Sequence, residues 1–288
     1  MTIADYREGS FHAQDGLRLA YRDYGDPRSA KTPLLCLTGL TRNAKDFHDF
    51  AMRHAGTRRV LCPDYRGRGR SAYDPDPANY QAPVYLNDIQ HLLAVAHVQK
   101  VVILGTSLGG ILAMAMTVAA PTMLAGVILN DIGPEVSESG RQRIADYVGR
   151  GVNVPDYPAA VAAWRSTYAA AYPNLTEDGW LKIAKASFTA DEQRGGLRLD
   201  YDLNIGQALR EQAKTPLPDL WPLFRGLRHL PVLALRGTLS DVLTADTFVR
   251  MKREHAGLIQ VTVPGVGHIP MLDEPEAQTA IDEFLAGL

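Results

Sequence analysis

The segment Val101-Val102-Ile103-Leu104-Gly105-Thr106-Ser107-Leu108-Gly109-Gly110 runs an apolar strand into Gly-x-Ser-x-Gly, and Ile111 to Ala120 then reads as a helix. A serine on so sharp a strand-to-helix turn sits at strained backbone angles. Its neighbours two before and two after must lack a side chain for the chains to approach. The helix start adds N–H donors and a positive dipole end, which favour an alkoxide and an oxyanion. With 25 Gly and 9 Ser in the chain, chance placement gives roughly 0.07 such matches before the strand and helix are required. The chemistry this points to is attack by the Ser107 hydroxyl on a carbonyl. That hydroxyl is a weak nucleophile at neutral pH and needs a base within hydrogen-bond reach. Among eight histidines, His268 stands out. It follows the strand Gln260 to Val263 in the glycine-rich loop Gly265-Val266-Gly267-His268, which can bring an imidazole over a sheet edge. The other seven lie on helical or polar stretches and read as surface or capping residues.

Something must hold these two side chains together, and the apolar runs say what. Pro33 to Thr38, Val60 to Cys62, Lys100 to Leu104 and Ala125 to Asn130 are continuous short strands separated by helical stretches, the pattern of a parallel sheet covered on both faces. Gly9 to Ala13 and Leu17 to Tyr24 alternate more and flank Gln14-Asp15-Gly16, which predicts an antiparallel hairpin at the sheet edge. After Gly133-Pro134 the pattern turns helical, through Ser139 to Val148, Tyr157 to Ala171 and Thr176 to Ala186, with no convincing strand before about Leu227. Strands resume at Pro231 to Leu235 and Leu258 to Val263, and Glu276 to Ala286 closes the chain as a helix. The expectation is one discontinuous α/β core, residues 1–133 and 228–288, carrying a helical cap over residues 134–227.

The nucleophile turn in this setting resembles that of the α/β-hydrolase superfamily, and three further segments fit the resemblance. Leu34-Leu35-Cys36-Leu37-Thr38-Gly39-Leu40 is similar to the strand and loop that supply half of an oxyanion hole. Asp64 to Ser71 is similar to the motif at the next strand end, and Gly265 to His268 to the terminal histidine loop. The resemblance implies a mostly parallel eight-stranded sheet flanked by helices. It also implies a serine hydrolase in which an acid orients His268, and Asp241, after the strand Pro231 to Leu235, gives the order Ser, Asp, His. Asp131, at the end of the strand closing at Asn130, is the alternative acid, because some members of the family place it there. The backbone N–H groups of Leu40 and Leu108 are the implied oxyanion donors. Many relatives have His-Gly where this chain has Thr38-Gly39, a departure that leaves the backbone donor intact but removes a side chain that often braces the loop. Trp164, Tyr168, Trp180, Phe188 and Tyr201 of the cap are the expected source of an apolar pocket wall.

Composition narrows the function further. The chain has 288 residues, 46% hydrophobic and 22% charged, and a net charge of -2, which offers no electrostatic footprint for nucleic acid or an anionic membrane. Two cysteines, Cys36 and Cys62, lie in apolar strands and read as buried thiols. Arg66, Arg68 and Arg70 alternate with glycines, but no phosphate-binding loop follows, and a turn held by arginine hydrogen bonds is the reading. Histidines and acids do not cluster at metal-ligand spacing. The N-terminal segment has no signal-peptide character and no stretch is long enough to span a membrane. The expectation is a cytoplasmic monomer or homodimer acting without metal or cofactor on a small, largely uncharged ester, thioester or lactone. Hydrolysis of a carbon–carbon bond in a ring-cleavage diketone, and a ligand receptor on the same fold, are the alternatives.

Overall fold

The interior strands of the central sheet owe their burial to side chains that alternate between two covered faces. The computed structural model describes residues 5–216 and 218–288, so residues 1–4 of the N-terminal segment discussed above and Leu217 lie outside the description. Before the insertion come β1 (Arg7–His12), β2 (Arg18–Tyr24), β3 (Leu34–Leu37), β4 (Val60–Pro63), β5 (Val101–Thr106) and β6 (Leu124–Asn130). They are joined by α1 (His48–Ala55), α2 (Ala82–Val95) and α3 (Leu108–Ala119). The insertion holds α4 (Glu138–Tyr147), β7 (Asn153–Val154), α5 (Tyr157–Tyr168), α6 (Glu177–Ser187), β8 (Phe188–Ala190), β9 (Leu197–Leu199), α7 (Asn204–Gln212) and α8 (Trp221–Arg225). Then follow β10 (Val232–Gly237), α9 (Ala245–Glu254), β11 (Ile259–Val263) and α10 (Pro275–Ala286).

The main sheet has eight strands in the order β1-β2-β4-β3-β5-β6-β10-β11. β2 pairs antiparallel with β1 and β4, and every other pairing is parallel. Strand β5 shows how the faces divide. Val101 and Ile103 join a core with Leu92 and Leu93 of α2 and Leu112 and Met116 of α3. Val102 and Leu104 join the opposite core, with Phe50 of α1 and Ile281 and Phe284 of α10. Cys36 and Cys62 are free, buried thiols of that second core. No helix of the described residues is long and apolar enough to cross a membrane.

The insertion differs from its helical expectation in one respect: it contains a three-stranded antiparallel sheet, in the order β7-β9-β8. Strands of two or three residues are too short to leave a readable alternation. Beyond β9 the chain is stitched to the turn after β4. The Gly69 N–H donates to the Asp200 carbonyl (3.2 Å), the Asp202 N–H to the Gly67 carbonyl (2.7 Å), and Arg68 and Tyr201 form a β-bridge.

That turn is built around arginine. The Arg66 side chain is 1% exposed, and its guanidinium holds Asp88 through Nε and Nη2 (2.8 and 2.6 Å) and Asp74 and Asp15 through Nη1 (2.5 and 2.7 Å). Burial pushes the Asp88 carboxyl up, against the pull of Arg66. Arg66→Met leaves the buried Asp74 and Asp88 without their counter-ion, and the expected loss of stability is about 3–5 kcal/mol. Urea denaturation followed by circular dichroism measures it, and an unchanged midpoint would contradict this account of the turn.

Candidate active site

β5 delivers Ser107 and α3 begins at the next residue. Ser107 has φ 52° and ψ −117°, a left-handed conformation that a non-glycine residue holds only when its surroundings impose it. A Cβ on Gly105 would stand 2.4 Å from the Gly109 carbonyl oxygen, and one on Gly109 would stand 2.1 Å from that of Leu37. Both glycines are therefore required by backbone contact, as the motif's mechanics predict.

The Ser107 hydroxyl lies 3.1 Å from Nε2 of His268, and Nδ1 of His268 lies 2.7 Å from Oδ2 of Asp131. An ionised carboxylate only accepts, so the ring proton sits on Nδ1 and Nε2 is left to accept from the serine. Asp131 is fully buried, with φ 55°. Its other donors are the Gly237 N–H (2.9 Å to Oδ1) and the Ser240 hydroxyl (2.6 Å to Oδ2). His268 is held in turn from the insertion. The Gly267 N–H donates to the Ala171 carbonyl (2.6 Å), and the Tyr172 hydroxyl accepts from the Ile269 N–H (2.8 Å) and donates to the Ile269 carbonyl (2.9 Å).

The expectation for Asp241 is corrected here. Asp241 makes no hydrogen bond with His268 among the described residues and is instead ion-paired with Arg143 of α4, through Nε and through Nη2 at 2.8 Å. The loop after β10 turns so that Ser240 meets Asp131, which leaves the next side chain facing the insertion. Burial would raise the Asp241 carboxyl, but hydrogen bonding and charge from Arg143 outweigh it and hold it below the usual carboxylate value.

Among the described residues the N–H groups of Leu40 and Leu108 donate to no other group, so both remain available to an oxyanion. The brace that replaces the missing histidine is Arg68, which the sequence reading assigned only to a turn. Its Nε and Nη2 donate to the Leu40 carbonyl at 2.9 and 2.7 Å, which fixes the orientation of the Leu40–Thr41 peptide. The guanidinium is buried among Tyr65, Tyr80 and Tyr85, and donates to the Tyr85 hydroxyl and the Arg66 carbonyl.

A cavity of about 1370 Å³ opens over Ser107 and His268. Trp164, Tyr168 and Trp180 line it, but Phe188 and Tyr201 do not. Phe188 is 1% exposed and backs Trp164 with its ring 5.5 Å away, while the Tyr201 hydroxyl accepts from the Gly149 N–H at 3.3 Å. Arg42, Arg143, Tyr147 and Tyr172 line the cavity without having been expected there. A signal existed for some of them, since Arg143 and Tyr147, and Trp164 and Tyr168, are spaced one helical turn apart.

Comparison with known proteins agrees with this architecture. A solved alpha/beta hydrolase from Novosphingobium aromaticivorans superposes with a TM-score of 0.92 and 42% identity, covering 99% of this chain and 100% of that one. The 3-hydroxybutyrate-oligomer hydrolase of Cupriavidus necator is 32% identical over 276 residues, 94% of this chain and 93% of its own. The 2-(acetamidomethylene)succinate hydrolase of Mesorhizobium japonicum is 26% identical over 253 residues, 88% of this chain and 87% of its own. Residues 34–282 match the model of the alpha/beta hydrolase family. With that match running from β3 into α10, the protein belongs to the alpha/beta hydrolase family.

Proposed function

We propose that the protein is a serine hydrolase that cleaves a small carboxylic ester through an acyl-enzyme on Ser107. The observation that carries this reading is the hydrogen-bonded series from the Ser107 hydroxyl through His268 to the buried Asp131 carboxylate. As Oγ attacks the ester carbonyl, Nε2 of His268 takes its proton, and the Leu40 and Leu108 N–H groups hold the oxyanion. Collapse of the intermediate breaks the bond to the alcohol oxygen, which leaves with the proton from His268. Water then gives a proton to His268 while its oxygen attacks the acyl carbon. The second collapse returns that proton to Oγ and releases the carboxylic acid. Asp131 keeps the imidazole in one tautomer and stabilises the imidazolium at both stages.

Residues 134–227 act as the lid. They supply Trp164, Tyr168 and Trp180 to the wall of the cavity over Ser107. The likeness to a hydrolase named for 3-hydroxybutyrate oligomers supports an oxygen ester of a hydroxy acid, and a cavity of about 1370 Å³ accommodates more than one such unit. A complete Ser, His and Asp set argues against a purely ligand-binding role.

Phenylmethanesulfonyl fluoride tests the nucleophile. Peptide mass spectrometry is expected to find one sulfonyl group, on Ser107, accumulating in step with loss of p-nitrophenyl acetate hydrolysis. Inactivation with Ser107 unmodified would remove the assignment.

A further inference from the structure

Overall composition points to an uncharged substrate, yet the cavity over Ser107 carries charged side chains of both signs, carboxylates such as Asp46 and Glu138 as well as arginines. Arg143 and Tyr147 of α4, Tyr168 of α5 and Arg42 of the loop after β3 line the same cavity as Ser107. All three nitrogens of Arg42 are engaged: Nε and Nη2 bind Asp46 (2.7 and 2.5 Å), and Nη1 donates to Ser187. Arg143 is not. Its Nε and Nη2 hold Asp241, while Nη1 has no partner among the described residues. Asp241 does not line the cavity, so the carboxylate stands behind the guanidinium and the cavity meets the cationic side.

The rings of Tyr147 and Tyr168 meet edge-on beside it, 6.0 Å apart at 78°. Burial pushes both phenols up, so each keeps its O–H at neutral pH. Arg143 and these phenols present N–H and O–H donors on one stretch of a largely apolar wall. Such a group recognises a compact, acceptor-rich moiety, and the fixed charge selects an anion.

We propose that Arg143, with Tyr147 and Tyr168, is a specificity site for a free carboxylate on the substrate, so that the preferred ester is one that also carries an acid group. The proposal rests on the ester-hydrolase reading above. The substrate carboxylate accepts from Nη1 and the phenols, while the other edge of the guanidinium stays on Asp241. The charged group thus anchors the molecule while Ser107 attacks the ester bond.

Two substrate pairs test it, one with the carboxylate on the alcohol side and one with it on the acyl side. Acetate release from 3-acetoxybutanoate is compared with that from its methyl ester, and methanol release from monomethyl glutarate with that from methyl pentanoate. In at least one pair the wild type favours the charged member by about tenfold or more in kcat/KM, the range of a charge-assisted hydrogen bond. Arg143→Gln lowers that ratio by about 10- to 100-fold, chiefly through KM of the charged member. Taking the ratio within each variant cancels any general loss of activity. Arg143→Lys restores part of the preference, and Asp241→Asn keeps it, because the guanidinium still faces the cavity.

No charged preference in either pair, an unchanged ratio in Arg143→Gln, or an equal loss in Asp241→Asn would each overturn the proposal. The last would reduce Arg143 to a latch between insertion and core. Ser107-dependent cleavage of p-nitrophenyl acetate without a charged preference overturns this inference alone. Absence of cleavage of every ester overturns the ester-hydrolase reading, and this inference with it.

Discussion

Asp131→Asn is expected to lower kcat/KM for p-nitrophenyl butyrate by about 10,000-fold, while Asp241→Asn costs less than about tenfold. The asymmetry follows from where the two carboxylates stand. Oδ2 of Asp131 is 2.7 Å from Nδ1 of His268 and is fully buried. An asparagine there can still accept from the Gly237 N–H through its oxygen, while its NH2 takes the Oδ2 position that Ser240 and His268 share. Its NH2 then faces the imidazole, favours the tautomer with the proton on Nε2, and leaves no base for Ser107. The imidazolium also loses its counter-charge in a largely buried position. Asp241 is half-exposed and paired with Arg143, where one charge is worth little. Steady-state rates on both variants decide the matter, and the opposite ranking would return the acid to Asp241.

Ser107→Ala is expected to remove about six orders of magnitude in kcat, the loss found when the nucleophile of such a set is deleted. Removing His268 as well adds almost nothing, because each residue acts only through the others. Binding should survive: the aromatic wall and the Leu40 and Leu108 donors do not depend on the hydroxyl. Rates of p-nitrophenol release from the acetate and butyrate esters check this. Equal rates for wild type and Ser107→Ala would end the serine mechanism.

The choice between the two acids marks where one-dimensional information stops. Both follow a strand, and both satisfy the chain order, so spacing cannot separate them. What separates them is a pair of backbone turns: Asp131 at φ 55° aims its carboxylate under His268, and the loop after β10 offers Ser240 in place of Asp241. Gly-x-Ser-x-Gly was legible because its glycines answer a steric demand of the backbone, as the 2.1 and 2.4 Å clashes make plain. The core strands were legible for a similar reason, since continuous apolar runs must be buried on both faces. The pocket was less so. Phe188 and Tyr201 are aromatic but packed behind the wall, whereas Arg143 and Tyr147 reach the cavity from a polar helix whose facing no composition reveals. The short strands β7, β8 and β9 are recognisable only once their partners are seen.

The stitching of residues 200–202 to Gly67–Gly69 has a further consequence. Arg68, in the middle of that turn, grips the carbonyl of Leu40, and between α5 and α6 Ala171 and Tyr172 grip the loop of His268. The insertion therefore shares its scaffolding with the reaction centre at two separate points. Exchanging it as a cassette is expected to disturb the Leu40 loop and the His268 loop together. On the proposed function, substitutions that retune specificity without loss of activity are expected at side chains that face the cavity, within a backbone frame that the insertion shares with the Leu40 and His268 loops.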